Sequence, residues 1–323
     1  MEKQFGQYTI ASLNYVGAES HRLDVGGYYN TGTPSTTSFA SREAYDFANP
    51  GANETGQPFP YAIPNRYDRS FGSGDYNGLQ ASLVQRSAYG LTYNLAYTWS
   101  KVIDEGASEW FGAGGTSGAT GASLQNPYDL KGSRSVAGFN LPQVLTLGLT
   151  YEIPVGKGKT FTTGNPITDY ILGNWDLGGL WLMRSGQVFS VTSAGDIANI
   201  GQAGTDQERA DLTGNPKLSS GMRSKAEWFN TAAFSTPASG TFGNAGRNIL
   251  QAQTYDQLDT SIYRSFPVWE NLHFLLRADW FNVLNHPVLG LPGTVTTSAS
   301  SFGVITSTAN NQRLMQLSAK IVF

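Results

Sequence analysis

A two-residue hydrophobic period, repeated along the chain, is the feature that most limits how this sequence can fold. From Leu91 the odd positions read Leu91, Tyr93, Leu95, Tyr97 and Trp99, while the even ones read Thr92, Asn94, Ala96, Thr98 and Ser100. The next such stretch sets Leu145, Leu147, Leu149, Tyr151 and Ile153 against Thr146, Gly148, Thr150 and Glu152. A third sets Phe274, Leu276, Ala278 and Trp280 against His273, Arg277 and Asp279. The last sets Met315, Leu317, Ala319, Ile321 and Phe323 against Gln316, Ser318 and Lys320. Side chains alternate across a strand, so each stretch makes one apolar and one polar face. Helical spacing is nearly absent, and the chain reads as all-β.

A soluble sandwich alternates in this way, and so does a membrane barrel. No apolar run approaches the roughly 18 residues of a transmembrane helix. Any spanning elements are therefore strands, which satisfy their backbone groups in lipid only as a closed barrel. Charged residues make up 14% of the chain, aromatics 12%, and there are 38 glycines. Few charges and many aromatics suit a surface that meets something other than water. Tyr97, Trp99, Tyr151, Trp175 and Trp280 stand near strand ends on the apolar side, as an interfacial girdle does.

The pattern predicts nine strands, at about 7–17, 21–29, 75–87, 90–104, 137–153, 173–191, 254–266, 270–285 and 311–323. The links at 17–20, 87–89 and 267–269 are short, those at 30–74, 105–136, 192–253 and 286–310 are long, and 154–172 is intermediate. Outer-membrane barrels sort their links in this way, with short periplasmic turns and long external loops. Gly17 and Gly90 are read as turn glycines that need φ > 0. Arg184-Ser185-Gly186 resembles a turn, but one continuous strand keeps all long loops on one side. Residues 1–323 are thus expected to form part of an antiparallel transmembrane β-barrel in the outer membrane of a Gram-negative-type bacterium. Single-chain bacterial barrels have even strand numbers. The odd count, and the lack of a signal-peptide pattern in MEKQFGQYTIASL, predict a carboxy-terminal portion whose amino-terminal part, signal peptide included, is missing.

Other chemistries find little support. The chain has no Cys and a formal net charge of −3, which removes thiolate chemistry and any electrostatic case for nucleic acid. His21, His273 and His286 lack metal-ligand spacing. GKGKT at 156–160 has Ile153 where a phosphate loop needs its first Gly, and reads as a basic turn near lipid head groups. No G-x-S-x-G elbow and no identifiable carboxylate pair occur, so no catalytic residue, metal or cofactor is expected. Glu152, Arg277 and Asp279 are candidate lumen-facing charges. Tyr45, Trp110, Phe111 and Trp228 either stack on a ligand or anchor their loops.

Several stretches resemble the TonB-dependent receptors of the Oar-like type. They are YNGLQASLVQR (76–86), LTYNLAYTWSK (91–101), NPYDLKGSRSV (126–136), YEIPVGKGK (151–159) and LGNWDLGGLWLMRSGQVFSV (172–191). WFNTAAF (228–234), FGNAGRNIL (242–250) and LRADWFNVLNHP (276–287) continue the match in the family's order. GFNLPQV (138–144) departs from it, where the family tends to carry an Asp and an Arg-His-Arg cluster. The resemblance implies the last nine strands of a 22-stranded barrel, a size class with a plugged lumen, and the family's plug domain has no counterpart in residues 1–323. It also implies surface ligand binding and uptake in the complete protein, with the TonB complex engaged only through an amino-terminal part absent here. Met315, Leu317, Ala319, Ile321 and Phe323 resemble the terminal signal read by the barrel assembly machinery. A surface-binding or structural barrel without transport, or a soluble all-β carbohydrate-active protein, are the alternatives.

Overall fold

The alternating stretches pair side by side into one antiparallel sheet. The computed structural model describes residues 1–105, 124–156, 158–162, 164–201, 208–269 and 272–323. The first strands are β1 (Glu2–Phe5), β2 (Thr9–Tyr29), β3 (Asn65–Ala88), β4 (Leu91–Asp104), β5 (Ser135–Val136), β6 (Gln143–Glu152) and β7 (Asp176–Arg184). Six two-residue strands follow: β8 (Val188–Phe189), β9 (Thr192–Ser193), β10 (Glu208–Arg209), β11 (Asp211–Leu212), β12 (Phe234–Ser235) and β13 (Leu250–Gln251). The chain closes with β14 (Tyr255–Trp269), β15 (Leu272–Phe281) and β16 (Leu314–Val322). Helices α1 (Phe39–Ala48) and α2 (Pro166–Leu172) lie in links. The sheet runs β1-β2-β3-β4-β6-β7-β14-β15-β16, with β5 beside β4.

The register collects the apolar positions on one face. Leu83 pairs Leu95, Leu95 pairs Leu147, Leu147 pairs Trp181, and Trp181 pairs Leu258. Tyr151, Leu177, Ile262, Ala278 and Leu317 form a second such row. On the other face Glu152, Asp176, Tyr263, Arg277 and Ser318 make a polar row. The links after Phe5, Ala88, Glu152 and Trp269 leave one end of the sheet, while those after Tyr29, Arg184 and Phe281 leave the other. Among the described residues β1 pairs only β2 and β16 only β15, so the sheet is open.

The structure corrects the expected boundaries. Segments 7–17 and 21–29 are one strand, β2, and its partner at the edge is the unexpected β1. Gly17 is not a turn glycine. It lies within the ladder, and an added Cβ would come 3.1 Å from the Tyr15 hydroxyl, so the ring occupies the space the glycine leaves. Gly90, with φ 78°, is the turn glycine expected. What looked like a break at 17–20 is a change of phase a few residues on. Irregularities flank Leu23, and Arg22 has φ 58°. An extra residue in one strand shifts the alternation by one. Leu23 then faces Gly74 beside Asp104, and Val25 is fully buried.

The expected strand 173–191 stops at Arg184. Ser185 still donates to Gln143 O at 2.8 Å, and then Val188–Phe189 leave to pair β13. A Cβ on Gly186 would come 2.0 Å from Ala252 O, so the chain passes there only as glycine. Segment 137–153 is shortened to β6, because Asn140 turns its side chain to the Val102 N–H at 2.8 Å. β3 begins ten residues early, at Asn65, inside the expected loop 30–74.

A cation stands in the middle of the apolar face. Arg264 pairs Leu276 there, yet it is only 2% exposed. Helix α2, capped by Asn165, covers it. Arg264 Nη1 donates to Ile171 O at 2.7 Å, and the guanidinium lies 4.2 Å from the Phe266 ring centroid and 5.4 Å from that of Tyr170. Trp175 packs edge-on against Phe266. Helix and rings together shield a cation that an apolar surface would otherwise expel. Arg264→Ala is expected to destabilise the full chain in detergent by about 1–3 kcal/mol. Arg264→Met should cost much less, since a volume-matched apolar residue needs no cover. Urea midpoints read by tryptophan fluorescence decide it; a wild-type midpoint for the Ala variant would refute the covering role.

Candidate functional site

At the end where the long links emerge, the loops fold onto one another and build a cap with its own core. Phe189, Val191, Phe229, Phe234, Leu250 and Ile305 are buried there, with Phe302 packed against them. Phe229 meets Phe234 and Phe302 edge-on at 5.6 and 5.3 Å between centroids. Trp228 is an anchor of this core rather than a ligand platform: it is 9% exposed and its Nε1 donates to Gln251 O at 2.9 Å. Tyr45 stays exposed on α1. Trp110 and Phe111 lie outside the described residues.

Buried polar groups tie the loops together. Ser38 caps α1, and Arg42 and Asp46, four residues apart, point inward. Arg42 donates to Glu54 O, Thr55 O and Thr33 O at 3.0 to 3.1 Å, and to Asn199 O in another loop. Asp46 accepts from the Glu54 and Thr55 amides and from the Thr55 hydroxyl. Asp196 holds the amides of Ile200 and Gly201. Arg247 pairs with Asp104 at the end of β4, and donates to Ser133 O at 3.1 Å. The cap is thereby fixed to the sheet through a buried ion pair, which is costly to break by removing one partner.

Between the cap and the outer end of the apolar face lies a groove of 960 Å³. Tyr15, Leu79, Trp99 and Lys101 line its sheet side. Leu212, Lys217, Leu218, Arg223 and Trp228 line its cap side.

The residues singled out in the sequence are distributed as follows. Arg277 and Asp279 meet at 2.8 Å, and Arg277 also lies 5.4 Å from the Tyr263 ring centroid. Glu152 shares their polar face but pairs instead with Lys159 at 3.0 Å. Lys157, the other lysine of that turn, lies outside the described residues. Met315, Leu317, Ala319 and Ile321 pair Trp280, Ala278, Leu276 and Phe274 on the apolar face. Phe323 follows the last paired residue and is 97% exposed. Among the described residues no cluster of His, Asp or Glu fits a metal ion.

Glu208 and Arg209 went unnoticed in the sequence, where they look like any charged loop pair. Burial pushes the Glu208 carboxyl up to about 7, against the pull of the Ala198 and Ile197 amides that it accepts. Burial, with Arg247 nearby, pushes Arg209 down to about 10. For Glu208 the folded cap holds the proton more tightly than the unfolded chain does. The stabilisation is complete below the ordinary value of 4.5 and is lost as the pH rises through about 7. Hydrogen exchange at the Ile197 and Ala198 amides, corrected for intrinsic rates, should show protection falling between about pH 5 and pH 8. Glu208→Gln should flatten that slope; an unchanged slope would assign it to another group.

A family model for the outer membrane beta barrel domain matches residues 1–316. No curated protein matches the sequence. Among solved structures, the crystal structure of the outer membrane transporter YddB from Escherichia coli is similar, with 12% identity and a TM-score of 0.47. That match covers 99% of this chain, which spans 31% of the YddB chain. The two-faced antiparallel sheet and the family match agree, and the chain belongs to the outer membrane beta barrel domain family, with the outer membrane as its location.

Proposed function

We propose that the chain is barrel wall and external cap of a TonB-dependent receptor of the Oar-like type, which binds a ligand at the cell surface and passes it inward. The observation that carries this reading is the cap: long loops tied by Arg42, Asp46, Asp196 and Arg247 into a preorganised outer surface. Such preorganisation suits recognition, because little ordering is left to do on binding. The order of family-like motifs along the chain supports the receptor type. In this reading further strands pair the open edges of β1 and β16, since unpaired backbone in lipid costs several kcal/mol per group. Glu152, Arg277 and Asp279 face the lumen, where charges tune what passes. Contact with the TonB complex belongs to parts of the complete receptor outside residues 1–323. The reading assigns the chain no catalysis and no cofactor.

Comparing which nutrients remain in spent medium tests the transport role. A strain lacking the complete gene and a strain lacking TonB should leave the same compound unconsumed. Normal depletion of that compound without TonB would rule out TonB-dependent uptake.

The terminal strand, with Met315, Leu317, Ala319, Ile321 and Phe323 on one face, serves in the same proposal as the signal for the barrel assembly machinery. Removing Phe323 should lower the amount of heat-modifiable barrel in the outer membrane several-fold. Undiminished assembly would leave Phe323 an ordinary terminus.

A further inference from the structure

We propose that the groove beneath the cap binds a phosphorylated lipid of the outer leaflet, with the headgroup at Lys101, Lys217 and Arg223 and an acyl chain along Leu79 and Trp99. The inference rests on the outer-membrane location and is independent of TonB-dependent uptake.

The chain carries 24 acidic and 21 basic residues, yet the groove lining contains three cations and no Asp or Glu. Among the described residues none of the three is in an ion pair. Arg223 is held in place: its Nε donates to Leu218 O at 3.1 Å, and its guanidinium lies 5.6 Å from the Trp228 ring centroid. Lys101 stands two residues beyond Trp99 on the same face of β4, as its pairing with Asn77 requires.

Tyr15, Leu79 and Trp99 belong to the apolar face, which meets lipid in an outer-membrane barrel. Trp99 is 59% exposed and Tyr15 68%, at the level where aromatic girdles mark the boundary of the hydrocarbon. The groove is therefore reached from the leaflet, and its cations lie where lipid phosphates lie. Farther out on the same face the charge reverses. Glu19 and Asp75 line the next hollow, with Lys101 as the border shared by the two, and Asp75 is already paired with Arg134. An anion is thus favoured at the lysine level and disfavoured above it. An amphiphile matches this sequence of apolar wall, cationic band and acidic rim; a small soluble anion would use only the band.

The test titrates the full chain in neutral detergent with lipids whose acyl chains are brominated, and reads quenching of tryptophan fluorescence. The lipids are phosphatidic acid and lipid A, with phosphatidylcholine of matched chains as the zwitterionic control. Inorganic phosphate is tested as competitor. Phosphatidic acid and lipid A should bind at least tenfold more tightly than phosphatidylcholine. The triple variant Lys101→Gln, Lys217→Gln, Arg223→Gln should lose that preference and keep weak chain binding. Trp99→Ala should lower quenching for every lipid. Far-ultraviolet circular dichroism confirms that each variant is folded. Equal affinity for both lipid classes, or an unchanged preference in the triple variant, would overturn the proposal. So would full displacement by inorganic phosphate at lipid-equivalent concentration, which would point to a soluble anion instead.

Discussion

Every backbone N–H and C=O that enters a membrane has to find its partner within the protein, because lipid offers none. The ladder of this sheet answers that constraint, and most of the architecture follows from it. Strands have to run side by side in register, so the apolar residues of one line up with those of the next. Leu83, Leu95, Leu147, Trp181 and Leu258 form such a line across five strands. Irregular chain is expelled to the two ends, where water or other loops satisfy it. Among the described residues, the open edges at β1 and β16 are the places where the same constraint is still unmet.

A second consequence is that the hydrophobic core moves out of the sheet. Apolar side chains that face lipid gain nothing by leaving water together, so the sheet's apolar face needs no core packed over it, and Leu79 and Trp99 on inner strands stay exposed. The cap stands in water and obeys ordinary rules. There Phe229, Phe234 and Phe302 gather from distant loops, and buried Arg42, Asp46 and Glu208 spend their hydrogen bonds on loop backbone. One protein thus uses backbone pairing for its wall and side-chain burial for its roof. Arg264 shows the wall's rule by exception, since a whole helix is laid over it.

The wall was largely legible in the sequence because alternation is a local property. The segments from Leu91, Leu145, Phe274 and Met315 pair as their patterns required. Alternation misled where its phase changes. A bulge near Arg22 resets inside and outside without ending the strand, and a Gly-Ala-Glu-Ser stretch beside it imitates a turn. The cap was hardly legible. Its core joins residues around 189, 229, 250 and 305, and no local period links them. Trp228 illustrates the point: its composition suggested a ligand platform or an anchor, and only the partner at Gln251 O decides between them. Burial of Glu208 and the grouping of Lys101, Lys217 and Arg223 are equally nonlocal.

The unbroken length of β2 has a mechanical consequence. Fourteen positions separate Tyr15, at the girdle, from Tyr29 at the strand's tip. With a rise of ~3.3 Å and a tilt of about 40°, that is a mast standing roughly 35 Å above the boundary. β2 and β3 therefore set how far the wall rises beside the cap, and hence the height of the link 30–64 carried at their tip, separately from what that link displays. Loop residues can be exchanged without changing the altitude. Adding two residues to each strand would raise that link by about 5 Å. Adding one would turn the mast's faces inside out, so its height can change only in even steps.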